Sequence, residues 1–156
     1  MQKIRPCLWF DDQAEEAATF YVSVFGGDSR IEKVTRWPEG TESAGSAGSV
    51  LTVDFVLAGQ EYLGLNGGPQ FHFSEAVSLS VDCVDQEEVD RLWAKLTEGG
   101  EESMCGWLKD RYGLSWQIVP RALPELLGGP DRARADRAMK VMMGMRKLDV
   151  RTLLDA

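Results

Sequence analysis

The chain has 156 residues, with 17 Lys and Arg against 25 Asp and Glu and a formal net charge of −8, so it lacks the basic footprint that nucleic acid or an anionic membrane demands. Its 44% hydrophobic content, with five Trp, six Phe and three Tyr, is too high for a disordered chain and suffices for the core of one domain or of two fused half-domains. No apolar run approaches the roughly 20 residues of a membrane span, residues 1–6 lead into a strand rather than a secretory leader, and three widely spaced cysteines, Cys7, Cys83 and Cys105, fit reduced cytoplasmic thiols better than a disulfide framework.

In chain order, residues 4–10 read as a strand. Asp12 follows as a candidate N-cap with Glu15 at N3, a capping box that predicts a helix over 13–25, stopped by Gly26 and Gly27. Residues 30–36 and 49–57 read as strands. The Gly-, Ser- and Ala-rich segment 38–48 between them is expected to be a mobile loop. A turn at Gly59 leads into a last strand, closing a first module over 1–67.

The same order then returns. An offset of 73 sets Asp12 on Asp85, Gln13 on Gln86, Glu15 on Glu88, Phe20 on Trp93, and Gly26 and Gly27 on Gly99 and Gly100. A second capping box and glycine stop therefore frame a helix over 86–98, preceded by a strand over 77–84. Short strands at 101–105 and 107–109 follow. Asp110 to Gly113 suits a type I turn into a closing strand from Gly113 to Val119. That strand matches the segment from Gly59 to Leu65 at an offset of 54, so the first half is 19 residues longer between its helix and its last strand. Each half reads β-α-β-β-β, with the second over 75–120.

Residues 121–156 form a tail outside the repeat. A short helical turn precedes Asp131, a candidate N-cap for a helix over 132–146. Ala135, Ala138, Met139, Met142, Met143 and Met145 give that helix a methionine-rich apolar face, and Asp149 caps a last turn with Val150, Leu153 and Leu154. Such a tail docks either on its own sheet or on a partner chain. Its arginines read as a solvated face, because Asp131 and Asp136 interrupt them.

His72 is the only histidine, which excludes two-histidine zinc sites and facial triads within one chain. It sits in a loop-like stretch without a nucleophile elbow. There is no dinucleotide or phosphate-binding glycine loop.

The segments Pro6-Cys7-Leu8-Trp9-Phe10-Asp11, Phe20-Tyr21, Gly59-Gln60-Glu61, Leu65-Asn66-Gly67-Gly68-Pro69, Cys105-Gly106-Trp107-Leu108-Lys109-Asp110 and Gly113-Leu114-Ser115-Trp116-Gln117-Ile118-Val119-Pro120 resemble the PhnB-like branch of the vicinal oxygen chelate superfamily. This is the glyoxalase, bleomycin-resistance and extradiol-dioxygenase superfamily. The resemblance runs over about residues 3–156. It implies an α+β fold of two βαβββ modules, whose curled mixed sheets form a concave pocket, plus a C-terminal helical tail. Its small members commonly pair, so a homodimer is the implied assembly, and the methionine face supplies surface for it. The branch is often labelled 3-demethylubiquinone-9 3-methyltransferase. The residues give that label no support, because no glycine-rich strand-to-helix loop or alternating β-α pattern is present for an adenosyl cofactor.

Metal-dependent members of the superfamily project His, Glu or Gln from the first and last strands of each module. Here Ile4, Leu8 and Phe10 are assigned to the helix side of the first strand, leaving Arg5, Cys7 and Trp9 toward the concavity. In the second module Val77, Leu79, Val81 and Cys83 take the helix side, leaving Ser78 and Ser80. Leu63 and Gln117 stand where the closing strands would carry metal-binding carboxylates. One amide without a convergent imidazole or carboxylate is no transition-metal site, so no metal and no cofactor are expected.

What remains is a mixed apolar and polar surface suited to a small organic molecule. Trp9, Trp107, Leu63 and Leu65 are candidates for its walls, with core packing the alternative for each tryptophan. Gln117, Ser78, Ser80, Arg5 and Asn66 are candidates for orienting polar groups. Gln117 reads equally as a structural hydrogen bond, and for Arg5 the sequence favours a surface salt bridge. Cys105, with Lys109 and Arg111 near in sequence but no general base, reads first as an inert strand cysteine. Three functions follow: a metal-independent binder, an enzyme of the superfamily (isomerase, lyase or transferase), or an oligomeric interaction protein. The missing ligands favour the binder.

Overall fold

The computed structural model describes residues 1–40 and 46–156, so residues 41–45 of the expected loop over 38–48 lie outside the described residues. The elements run β1 (Cys7–Phe10), α1 (Ala14–Phe25), β2 (Arg30–Arg36), β3 (Val50–Leu57), β4 (Gln60–Asn66), β5 (Ser78–Cys83), α2 (Gln86–Thr97), β6 (Glu101–Glu102), β7 (Trp107–Lys109), β8 (Ser115–Pro120), α3 (Ala122–Leu127), α4 (Arg132–Met143) and α5 (Val150–Leu154). They make two compact units, residues 1–72 and 73–156. Each unit holds a four-stranded sheet, ordered β1-β4-β3-β2 in the first and β5-β8-β7-β6 in the second. The opening strand pairs parallel with the closing strand, and the other pairs are antiparallel. A parallel pair needs a crossover, and each twelve-residue helix supplies it. Two βαβββ modules with an α+β fold are thus present.

The repeat holds with a one-residue correction. Three residues separate β1 from α1, but only two separate β5 from α2. The opening strands therefore correspond at an offset of 73 and the helices at 72. The inward faces then agree: Ala17 matches Val89, Tyr21 matches Trp93 and Val24 matches Leu96, all buried. Phe20, matched to Trp93 by sequence, stands one position away and is half-buried.

The same extra residue displaces Asp12 from the cap. The N-cap is Gln13, whose side chain makes no capping bond. Asn66, at the end of β4, takes over: its Oδ1 accepts from the Ala14 N–H at 2.8 Å and its Nδ2 donates to the Val50 carbonyl at 3.1 Å. In the second box the cap bond forms as the spacing predicts, while the return bond from Glu88 falls on the residue before the cap. Asp85 Oδ1 accepts from the Glu88 N–H at 2.9 Å, and Glu88 Oε2 accepts from the Val84 N–H at 2.7 Å.

Several strand ends fall short of the sequence reading, among them that of β6, which stops at Glu102 rather than running on to residue 105. Ile4, assigned to the helix side, is 85% exposed, because β1 begins only after Pro6. Val77, assigned likewise, precedes the first β5–β8 pair at Ser78 and is exposed.

The first unit packs α1 over an aromatic cluster in which Phe55 and Tyr62 stack at 5.4 Å and Tyr21 lies 6.5 Å from Phe55. Gly64 lets the helix approach, since a Cβ there would stand 3.3 Å from Ala14 Cβ. In the second unit α2 buries Val89, Leu92, Trp93 and Leu96.

The tail docks on its own chain, within the second unit. Leu123, Leu148 and Leu153 form its buried cluster, with Met142 and Met145 packed against it. The N–H groups of Cys105 and Gly106 donate to the carbonyls of Met145 and Arg146, each at 2.8 Å. Gly106 has φ +82°, and a Cβ there would meet Leu148 Cδ1 at 2.9 Å. Helix α4 buries Ala135 and Ala138 but leaves Met139 and Met143 exposed, so the methionine face is split. Among the described residues no helix is long and apolar enough to cross a membrane.

Replacing Asn66 by Ala should lower stability by about 1–2 kcal/mol in urea unfolding, because it removes the side chain that caps the Ala14 N–H of α1. Asp12→Ala should change it by less than about 0.5 kcal/mol. The reverse order would restore Asp12 as the cap.

Candidate functional site

The site is built from the sheet faces turned away from the helices. On the first sheet Cys7 pairs with Leu63 and Trp9 with Leu65, and Asp54 on β3 lies opposite Leu63, so these side chains share the outer face. Arg5, just before β1, makes a half-buried ion pair with Asp54. The two line an open groove of about 600 Å³ with Lys33, Glu32 and Glu61. Trp9 is engaged structurally: its indole N–H donates to the Gly68 carbonyl at 2.9 Å and its ring meets Phe71 edge-on at 4.9 Å. Asn66 shares a register position with Phe10, on the helix side, and is committed to α1.

On the second sheet Ser80, Gln117 and Trp107 form one row across β5, β8 and β7. The next row is Ser78, Ser115, Lys109 and Glu101. Gln117 Nε2 donates to Ser78 Oγ at 2.9 Å, linking the rows. Thus Ser78, Ser80 and Gln117 share a face as the alternation predicts, and Trp107, a wall candidate, lies in the same row. Cys105 does not join them: it sits in the turn before β7 with φ +60° and holds the tail through its backbone.

Sequence reasoning passed over Ser115, Lys109 and Glu75 as site residues. Lys109 pairs with Glu75. The hydrogen bond to Glu75 raises the Lys109 pKa, and the hydrogen bond from Lys109 lowers that of Glu75, so both stay charged at neutral pH. Ser115 is buried, and its Oγ has no hydrogen-bond partner among the described residues. The period-2 alternation that placed Gln117 on this face places Ser115 there too. Its burial is what the pattern does not show.

Two further carboxylates on these faces, Glu61 and Asp82, are occupied. Glu61 accepts from the Gln2 N–H at 2.7 Å, and Asp82 pairs with Arg121 at 2.7 Å. Among the described residues no group of three or more His, Cys, Asp or Glu side chains is placed to hold a metal ion. His72 is exposed in the segment after β4. Cys7 and Cys83 are poor nucleophiles at neutral pH. Partial desolvation pushes Cys7 up against the opposing charge of Arg5, although its side chain reaches solvent. Burial, helped by the charges of Glu88 and Asp82, pushes Cys83 up to about 12.

The comparisons with known proteins agree with this architecture. A family model described as 3-demethylubiquinone-9 3-methyltransferase matches residues 2–119. A PhnB protein from Bacillus cereus is 37% identical, with a TM-score of 0.69 over 76% of this chain and 99% of that one. The protein PA1353 from Pseudomonas aeruginosa shares the fold at 22% identity, with a TM-score of 0.64 over 77% and 98% of the two chains. The fosfomycin resistance protein FosX from Listeria monocytogenes, solved with Mn(II) and sulfate, shares the fold at 13% identity and a TM-score of 0.50, over 74% and 88%. Comparison with the curated proteins finds no match. A metal held between opening and closing strands does not fit here, since the paired positions are Cys7 with Leu63 and Ser80 with Gln117. These offer one thiol, one hydroxyl and one amide on two separate sheets.

Above pH 9 the Cys83 thiol of the unfolded chain loses a proton that the folded chain keeps until about pH 12. Stability should therefore fall as pH rises through that window, by up to about 1.4 kcal/mol per pH unit. Urea unfolding at pH 8 and pH 10.5 should show a smaller loss for Cys83→Ala than for the parent chain. Equal losses would mean that Cys83 ionises normally in the fold.

Proposed function

The chain belongs to the 3-demethylubiquinone-9 3-methyltransferase family, the PhnB-like branch of the vicinal oxygen chelate superfamily, and we propose that it acts there as a metal-independent binder of a small organic molecule. The observation that carries this reading is the Ser80–Gln117–Trp107 row, with Ser78 hydrogen-bonded to Gln117. Where a metal centre would need convergent anionic or imidazole donors, this face offers neutral hydrogen-bonding groups beside an indole.

The family description favours a second reading, a methyltransferase. An adenosyl donor bound in the usual way needs a parallel sheet with a glycine-rich turn at a strand end. Each sheet here has a single parallel pair, β1–β4 in one and β5–β8 in the other. Opening strands lead to their helices through Asp11-Asp12-Gln13 and Val84-Asp85, without glycine. The fold therefore supports the binder better than the transferase.

Native mass spectrometry of freshly purified, untagged chain, with metal analysis, should show an organic adduct released on denaturation and no stoichiometric zinc, iron, nickel or manganese. A stoichiometric metal lost on Gln117→Ala would overturn the reading. The same reading includes a homodimer, supported by the exposed Met139 and Met143 on α4. Sedimentation equilibrium should give twice the 17.3 kDa chain mass. Met139→Asp with Met143→Asp should yield a folded monomer, because burying two unpaired carboxylates opposes association. A dimer that survives both changes would place its interface elsewhere.

A further inference from the structure

Five of the six methionines stand in or against the tail: Met139, Met142, Met143 and Met145 within it, and Met104 in the turn before β7 to which it is bonded. We propose that two of them form a peroxide-sensitive latch, in which oxidation of Met142 and Met145 to sulfoxides undocks residues 145–156 and releases the start of β7.

The two thioethers sit where the tail is held. Met142 and Met145 pack, partly buried, against the cluster of Leu123, Leu148 and Leu153. They belong to one turn, with the Met145 N–H donating to the Met142 carbonyl at 2.9 Å. From that turn the Met145 and Arg146 carbonyls reach the N–H groups of Cys105 and Gly106. Gly106 in turn accepts from the Ile118 N–H at 2.8 Å, and the next residue, Trp107, stands in the row with Ser80 and Gln117. Whatever loosens the two methionines therefore reaches the outer face of the second sheet through backbone hydrogen bonds.

The chemistry follows from sulfur at these positions. The thioether sulfur takes one oxygen from hydrogen peroxide. An S–O bond forms, the O–O bond breaks, sulfur is oxidised to the sulfoxide, and the other oxygen leaves as water with both peroxide protons. The product is polar where the parent side chain was apolar and adaptable. A sulfoxide turned toward three leucines loses its hydration without gaining a donor, so the undocked tail is favoured. Partial burial matters in both directions: it lets peroxide reach the sulfur, and it makes the product costly. Met139 and Met143 are 40% and 63% exposed, so their sulfoxides remain hydrated and leave the docking unchanged.

The latch goes beyond the binding reading and stands without it, because its test uses no ligand. The full chain carrying Cys105→Ser, so that the neighbouring thiol takes no part, is treated with hydrogen peroxide and then catalase. Peptide mass spectrometry should find one added oxygen on Met142 and on Met145. Amide hydrogen exchange should then be at least about tenfold faster at residues 105, 106 and 145–156, and methionine sulfoxide reductases for both epimers should restore the slow rate. Met142→Leu with Met145→Leu, a pair of volume-conserving changes, should exchange slowly before and after peroxide. Met139→Leu with Met143→Leu should still respond. Unchanged exchange with Met142 and Met145 oxidised, an equal acceleration in Met142→Leu with Met145→Leu, or loss of the response in Met139→Leu with Met143→Leu would overturn the latch.

Discussion

The Asp110 carboxylate holds the surface on which the candidate chemistry depends. It is 3% exposed. Its Oδ1 accepts from the Tyr112 and Leu114 N–H groups at 2.8 and 3.1 Å, and its Oδ2 accepts from the Trp116 indole at 2.9 Å. A carboxylate this deep is costly unless its oxygens are hydrogen-bonded, and here a turn and a core indole do so. The geometry that satisfies Asp110 also fixes the β7–β8 register, with Trp107 opposite Gln117, Leu108 opposite Trp116 and Lys109 opposite Ser115. A slip of one residue would carry Ser115 and Gln117 to the helix side and expel Leu114 and Trp116. The burial of Trp116 and the placement of Ser115 are thus two consequences of one constraint.

The first unit solves the same problem with different groups. There Asn66 joins the end of β4 to the start of α1 and of β3, while Trp9 braces the Gly68 carbonyl. Gly67 leaves room for that indole, since a Cβ there would fall 2.2 Å from the Trp9 ring. The two modules keep a common path and common apolar positions, yet their polar anchors do not correspond. Each anchor answers a local connection length, and the connections differ by one residue.

That difference marks how far the sequence could be read. Period-2 alternation and glycine stops place the strands and helices, because burial of one face and the end of a helix leave repeating marks. The box at Asp85 and Glu88 is legible because donor and acceptor lie three residues apart. The failure at Asp12 is not, because the competing cap, Asn66, is more than fifty residues away and nothing local announces it. Residues 4 and 77 show the same limit: the apolar alternation continues, but Pro6 delays the start of β1 past residue 4, and the partner strand β8 has ended opposite residue 77. Ser78, Ser80 and Gln117 fall on one face as the pattern says, and the register adds Trp107 to them. The isolation of the Ser115 hydroxyl depends on what covers it, and a one-dimensional pattern carries no such term. The methionine face divides for a related reason, since helical periodicity shows that a face is apolar but not which neighbour takes which part.

The division between the two faces of each sheet explains how this fold accommodates unlike chemistries. The helix-side residues supply the burial: Leu8, Phe10, Val53 and Phe55 in one unit, and Leu92, Leu108, Trp116 and Ile118 in the other. At about 25 cal/mol per Å² of apolar surface removed from water, such side chains dominate the favourable side of folding. The outer-face residues contribute little of that area, so exchange among His, Glu, Gln, Ser and Leu there is nearly free in stability. Function in such a fold is therefore written on positions that the core does not constrain. Positions that combine burial with an unmet polar group, as Ser115 does, are the exception, because the core alone gives no reason for a hydroxyl there.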